Sequence, residues 1–217
     1  MPHVNREIIL FIKISVPSQF SKIIMRAKKL AGIVSFSGYR FSPHITLYLC
    51  RFPRSNMPAL LRAAQKLKRR HFALTIESAS KGLTAERPYY FLKIKGNQNL
   101  FLLHNDIVRS ANSLRNGFIR SVDHERLSLG LYSAMETRMV KKYGYPMVKS
   151  QFQPHITIGL AVLNDRRQFN ELKRNLLKTA GKSFWVNSFD ISLQIFDVSL
   201  RQYVGTLERH KITLKKI

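Results

Sequence analysis

Two short stretches of this sequence carry the same chemistry. Phe41-Ser42-Pro43-His44-Ile45-Thr46 recurs as Phe152-Gln153-Pro154-His155-Ile156-Thr157, identical at five of six positions and 111 residues further on. Each copy opens an apolar run, Leu47-Tyr48-Leu49-Cys50 in the first and Ile158-Gly159-Leu160-Ala161-Val162 in the second. A proline suits the position just before such a strand. Residues i and i+2 of a strand share a face, so His44 projects with Thr46 and His155 with Thr157. Ile45, Leu47 and Leu49, like Ile156, Ile158 and Leu160, turn towards the core. Two imidazoles that titrate near neutrality can divide general-base and general-acid duties. Two hydroxyls beside them can hydrogen-bond the non-bridging oxygens of a phosphate. Facing each other about a pseudo-twofold axis, the pairs make a phosphoryl-transfer site that needs no metal. Zinc is disfavoured, because neither histidine has an acidic or cysteine partner at ligand spacing. The same period places Tyr48 on the His44/Thr46 face, where it would line the cleft. Gly159 takes the equivalent place in the second copy and would open room there.

The elements that must hold these residues follow from hydrophobic periodicity. It predicts helices over residues 18–31, 57–70, 98–115 and 165–179. Strands are expected over Glu7–Val16, Leu74–Ala79 and Tyr89–Lys95, the last two as a hairpin. Phe184–Val198 and Gln202–Leu214 read as a second, longer hairpin. Residues 118–150 show weak periodicity and read as mixed strand and loop. Each motif strand is followed by a helix and then a hairpin, so the chain is two copies of one supersecondary unit. No linker composition separates them. The 217 residues read as one bilobal domain, with lobe-forming repeats near 1–97 and 98–217.

Composition supplies the partner. There are 37 Lys and Arg against 12 Asp and Glu, a formal charge of +25, in a chain that is 45% hydrophobic. Enough apolar material for a core excludes a disordered basic tail. Up to residue 108 there are 18 basic and 4 acidic residues, and beyond it 19 and 8, so both halves are strongly basic. That points to an anionic partner, with nucleic acid first, since polyanion binding runs on counterion release. On helix 57–70, Arg62, Lys66, Arg69 and Arg70 would carry a nucleic-acid backbone beyond the site. Tyr39, Arg40, Tyr143 and Tyr145 lie just upstream of the motifs, where they could stack on a base or reach a phosphate. The single cysteine, Cys50, excludes an internal disulfide and reads as a small buried hydrophobe. No segment reads as a membrane span or a cleaved signal, so a soluble cytoplasmic monomer is expected.

His44-Ile45-Thr46-Leu47 and His155-Ile156-Thr157-Ile158 closely resemble the paired His-x-Thr/Ser-x motifs, with hydrophobic last position, of the 2H phosphoesterase superfamily. Within it, Tyr143-Gly144-Tyr145-Pro146 looks like the approach to the second motif in the 2′-5′ RNA ligase-like members, which include RNA 2′,3′-cyclic phosphodiesterases. The first motif departs from those members, running on as Tyr48-Leu49-Cys50-Arg51 where an apolar run ending in Gly is common. The resemblance implies an α/β fold of the α+β type, bilobal, with two antiparallel sheets flanking a central cleft and helices outside. It implies His44, Thr46, His155 and Thr157 as catalytic, without cofactor or metal. The substrate implied is RNA or an oligonucleotide ending in a 2′,3′-cyclic phosphate, or a 2′-5′ linkage. By analogy alone, His155 is the base and His44 the acid. Two other readings stand beside it: an RNA-binding module that holds a terminal phosphate without turnover, and a phosphodiesterase for a small cyclic nucleotide.

Overall fold

A computed structural model describes residues 5–30, 42–83, 88–160 and 166–215. Eight strands, β1 (Arg6–Ser15), β2 (His44–Arg51), β3 (Phe72–Leu83), β4 (Pro88–Ile94), β5 (His155–Leu160), β6 (Ser183–Val186), β7 (Ser188–Asp197) and β8 (Gln202–Thr213), line up in the order β6-β3-β4-β5-β2-β1-β7-β8. All neighbouring pairs are antiparallel. The two motif strands, β2 and β5, are therefore central. They meet at a single register pair, Ile45 with Ile156. The two sheets implied by the resemblance are thus joined at one seam into a single eight-stranded order. Each four-stranded half takes two strands from residues 1–97 and two from 98–217, so the repeats are interleaved.

Six helices complete the described fold: α1 (Ser18–Leu30), α2 (Met57–Gln65), α3 (Gln98–Leu114), α4 (Ser121–Ser128), α5 (Ala134–Tyr143) and α6 (Arg166–Leu177). Phe20 and Ile24 of α1, Met57, Leu60 and Ala64 of α2, Leu100, Leu103, Ile107, Val108 and Ala111 of α3, and Leu172 and Leu176 of α6 share one buried cluster with Ile45, Leu47, Ile156 and Ile158. These helices therefore cover the sheet face opposite the histidines. Burying a side chain of this size contributes about 1.5–3 kcal/mol, and the apolar stripes that predicted the helices are what fill this layer.

Three expectations need correction. The helix expected to reach residue 70 ends at Gln65. Beyond it, Arg69 binds the Asp106 carboxylate, its carbonyl accepts from Lys215 N–H, and Arg70 bridges to Lys215. Tertiary pairing replaces a turn in which like charges would have stacked at i, i+3 and i, i+4. Residues 118–150 hold the helices α4 and α5 rather than mixed strand and loop. Their signals are local: Ser133 and Glu136 form a reciprocal capping box, and Gly144 closes α5 in the left-handed region at φ 71°. At the start of α4 a bidentate pair between the N-cap Arg120 and Asp123 stands where an apolar stripe would be, which flattens the periodicity. The expected strand Phe184–Val198 is interrupted at Asn187, with β6 pairing β3 and β7 pairing β1. One continuous run of sequence thus feeds both halves of the sheet.

Candidate active site

The two motifs are built alike, atom for atom. Val16 N–H donates to the Pro43 carbonyl at 3.1 Å, and Ile94 N–H to the Pro154 carbonyl at 3.0 Å, fastening each motif to the neighbouring strand. His44 Nδ1 lies 2.8 Å from the Ser42 carbonyl, and His155 Nδ1 lies 2.8 Å from the Gln153 carbonyl. A carbonyl only accepts, so Nδ1 carries the proton in each ring and Nε2 holds the lone pair of the neutral form. Both imidazoles are half-buried, as are Thr46 and Thr157. An aromatic ring meets each imidazole nearly edge-on, Phe11 of β1 at 5.0 Å from His44 and Phe91 of β4 at 5.4 Å from His155.

A bulge follows each threonine. In the β1–β2 ladder Lys13 faces Thr46 and Ile12 faces Tyr48, leaving Leu47 as the extra residue. In the β4–β5 ladder Phe91 faces Thr157 and Tyr90 faces Gly159, leaving Ile158 extra. The hydrophobic last position of each motif is thus a bulge residue, buried on the core side. The inserted residue reverses the alternation beyond it. Tyr48 consequently turns to the core with Ile12 and is completely buried, and its hydroxyl donates to the Tyr143 carbonyl. Tyr48 is a packing residue that anchors the approach to the second motif, and it does not line the cleft. Gly159 likewise sits beside buried Tyr90 and opens no space beside Thr157.

At the seam, pairing of Ile45 with Ile156 sets His44 level with Thr157 and Thr46 level with His155. The histidines occupy opposite corners of a quadrilateral and the threonines the other two, all on the face turned away from Ile45 and Ile156. This is the juxtaposition needed around a tetrahedral phosphate: two hydroxyl donors and two proton-transfer groups of complementary approach.

The surroundings break the symmetry. Phe11-Ile12-Lys13-Ile14 and Phe91-Leu92-Lys93-Ile94 both run beside a motif strand but two residues out of step, so that Lys13 faces Thr46 where Phe91 faces Thr157, and Ser15 faces His44 where Lys93 faces His155. Lys13 is buried, its ammonium 5.3 Å from the Phe11 ring, with Asp190 as its register partner on β7. Burial, and then Arg209, lower its pKa from the ordinary lysine range, with Asp190 acting the other way. Asp190 in turn accepts from Ser15 Oγ at 2.7 Å and Arg209 at 3.0 Å. Lys93 is instead exposed and pairs with Glu77 at 3.6 Å. Burial lowers the His155 pKa below the ordinary imidazole value, and the Gln153 carbonyl offsets part of that.

The likeness of Phe11-Ile12-Lys13-Ile14 to Phe91-Leu92-Lys93-Ile94, 80 residues apart, does not carry into the register, where residues facing equivalent motif positions stand 78 apart. His104 was passed over. Fully buried in α3, it donates from Nδ1 to the Leu47 carbonyl at 2.8 Å and accepts at Nε2 from Lys149 N–H at 3.1 Å. It stacks on Phe152 at 3.8 Å and 3°. Desolvation pushes its pKa down to about 4. One neutral imidazole thus ties the bulge of the first motif to the approach of the second.

The remaining expected contacts are not gathered here. Tyr143 and Tyr145 are half-buried against the core cluster, Tyr143 beside Lys142 and Lys149, Tyr145 beside Tyr48 and Arg120. Both build the approach segment. Arg62 is exposed on α2, which lies on the core side of the sheet away from the histidines; Lys66 and Arg70 are exposed beyond that helix, Arg70 bridging to Lys215, and Arg69 is engaged by Asp106. Tyr39 and Arg40 lie outside the described residues.

No protein-family model matches this sequence, and no curated protein matches it. Solved structures do. A crystal structure of a phosphoesterase superposes with a TM-score of 0.56 at 18% identity, over 95% of this chain and 99% of that one. E. coli LigT complexed with NADP+ gives 0.54 at 18% identity, over 95% and 98%. The Thermus thermophilus protein TT0787 gives 0.55 at 15% identity, over 95% and 99%. At such identities the likeness is one of fold, and it runs through the whole chain. The protein therefore has a 2H phosphoesterase-like fold.

Proposed function

We propose that the protein is a phosphoesterase that opens 2′,3′-cyclic phosphate ends of RNA by two-histidine acid–base chemistry without a metal. The reading is carried by one observation: two imidazoles, each held through Nδ1 by the carbonyl two residues upstream, stand corner to corner with two threonines on one sheet face. In the reaction, His155 Nε2 takes a proton from water as its oxygen attacks phosphorus. The bond from phosphorus to the ribose O3′ breaks in line, and His44 delivers a proton to that oxygen, leaving a 2′-phosphate. Thr46 and Thr157 donate to the non-bridging oxygens, and buried Lys13 adds positive potential on the His44 side. The lowered pKa of His155 favours the base role, because its neutral form is then held at neutral pH.

The experiment is turnover of an oligoribonucleotide ending in 2′,3′-cyclic phosphate, in EDTA. Wild type is expected to give a phosphomonoester end, and His44→Ala and His155→Ala each to lose about 10²–10⁴-fold. Salt-sensitive binding with no product would replace this reading with that of a binding module. Turnover of small cyclic nucleotides alone would make it a nucleotide phosphodiesterase.

A further inference from the structure

The sheet face that carries His155 continues, open, to the edge strand β6. Alternation is fixed there by the core: Phe72, Leu74, Ile76, Ile94, Phe184 and Val186 are buried on the helix side, and Phe184 packs on Phe20 of α1. The opposite face is set by register. Lys93 pairs with His155, and Ser78 with Lys93. Lys95 N–H donates to the Thr75 carbonyl, Thr75 pairs with Ser183, and Ala73 with Trp185. Trp185, the only tryptophan of the chain, is 60% exposed at the end of this row. Burying a large ring is the rule for a core of this size, and here β6 instead displays it on the same sheet face as exposed Lys93 of β4 and Lys95 just past its end, across the intervening strand β3. The carboxylate near this row, Glu77, is matched by Lys93 in a half-exposed pair worth little in water.

We propose that this row is a binding track for single-stranded RNA: Lys93 and Lys95 take phosphates, and Trp185 stacks on a base. The proposal rests on the phosphoesterase reading for its direction, in that the strand enters the site with its terminal phosphate at His155 and runs back towards β6. Three strand spacings across and about four residues along separate Trp185 from His155, roughly 20 Å. That distance corresponds to a tail of about four nucleotides. The chemistry matches the ligand, since an indole face accepts any base, and cations spaced along the path accept the backbone without reading sequence. This face, on the histidine side, takes over the part expected of the α2 arginines.

Because Trp185 stands alone, its fluorescence reports the site directly. Titrating the protein with an eight-nucleotide oligouridylate is expected to quench it, whereas an abasic oligomer of the same charge binds without quenching. Trp185→Ala is expected to weaken oligomer binding about tenfold, with most of the loss restored in Trp185→Phe. Lys93→Ala/Lys95→Ala is expected to lower the slope of log affinity against log salt by about 1.4. Turnover of a mononucleoside 2′,3′-cyclic phosphate, too short to reach β6, is expected to be unchanged in Trp185→Ala. Oligomer binding that leaves the fluorescence unaltered, or equal affinity in Trp185→Ala with native circular dichroism, overturns the track. Quenching by the oligomer in a protein that opens no cyclic phosphate upholds the track and rejects the phosphoesterase reading. Mononucleotide turnover with no oligomer binding does the reverse.

Discussion

At the scale of the residue, each histidine of the candidate site is oriented by a backbone carbonyl two residues upstream. The Ser42 and Gln153 carbonyls hold the two Nδ1 protons, so each ring exchanges protons through Nε2. With His155 as base, its lowered pKa sets the acid limb of kcat/KM. Activity is expected to fall as the pH drops below the usual imidazole range near 6.5, when His155 protonates, and to fall again at higher pH, when His44 loses the proton it must deliver. The two limbs belong to the pair, and a wild-type pH–rate profile that stays flat between about pH 5 and 8 would remove paired histidines from the reaction. The hydroxyls are separable from the imidazoles. Thr46→Val and Thr157→Val keep the shape and remove the donors, and each is expected to lower kcat about 10²–10³-fold with folding intact. Equal rates in either variant would remove that threonine from the site.

At the scale of the element, the bulges decide what faces the phosphate. Leu47 and Ile158 each add one residue beyond the threonine, sending Tyr48 and Gly159 to the core side. Period-2 counting from His44 put Tyr48 in the cleft because a strand's sequence does not announce a bulge, which depends on what the neighbouring strand supplies. His104 holds one bulge in place from α3. Replacing it by alanine strips partners from the Leu47 carbonyl and the Lys149 N–H and leaves a gap under Phe152, at a cost of about 2–4 kcal/mol in urea unfolding. Its pH dependence follows from a folded-state pKa near 4 below an unfolded value near 6.5. The neutral ring's contribution is complete above about pH 6.5 and is lost as the pH falls towards 4, a change on the order of 3 kcal/mol. His104→Gln is expected to flatten that part of the stability–pH curve.

At the scale of the whole molecule, interleaving makes the two halves interdependent. β1 finds its remaining partner in β7 and β2 in β5, while β3 finds its own in β6 and β4 in β5. Residues 1–97 alone therefore expose a buried strand edge on each side, and circular dichroism is expected to show them unfolded or aggregated. The +25 charge acts over the same scale. Self-repulsion of a compact cation is screened by salt, so thermal stability is expected to rise between low and moderate ionic strength while RNA binding falls. By itself the sequence determined the fold class, three of the six described helices to within two residues, and that each motif histidine shares a strand face with its threonine, because core periodicity and a repeated motif are local patterns. It did not determine where Phe184–Val198 breaks, which basic residues share the histidines' face, or that Tyr48, Tyr143 and Tyr145 are packing. Those rest on which strand lies beside which, on one inserted residue per motif and on the side of the sheet a helix covers. Only contacts between distant segments fix these, and the tertiary structure alone contains them.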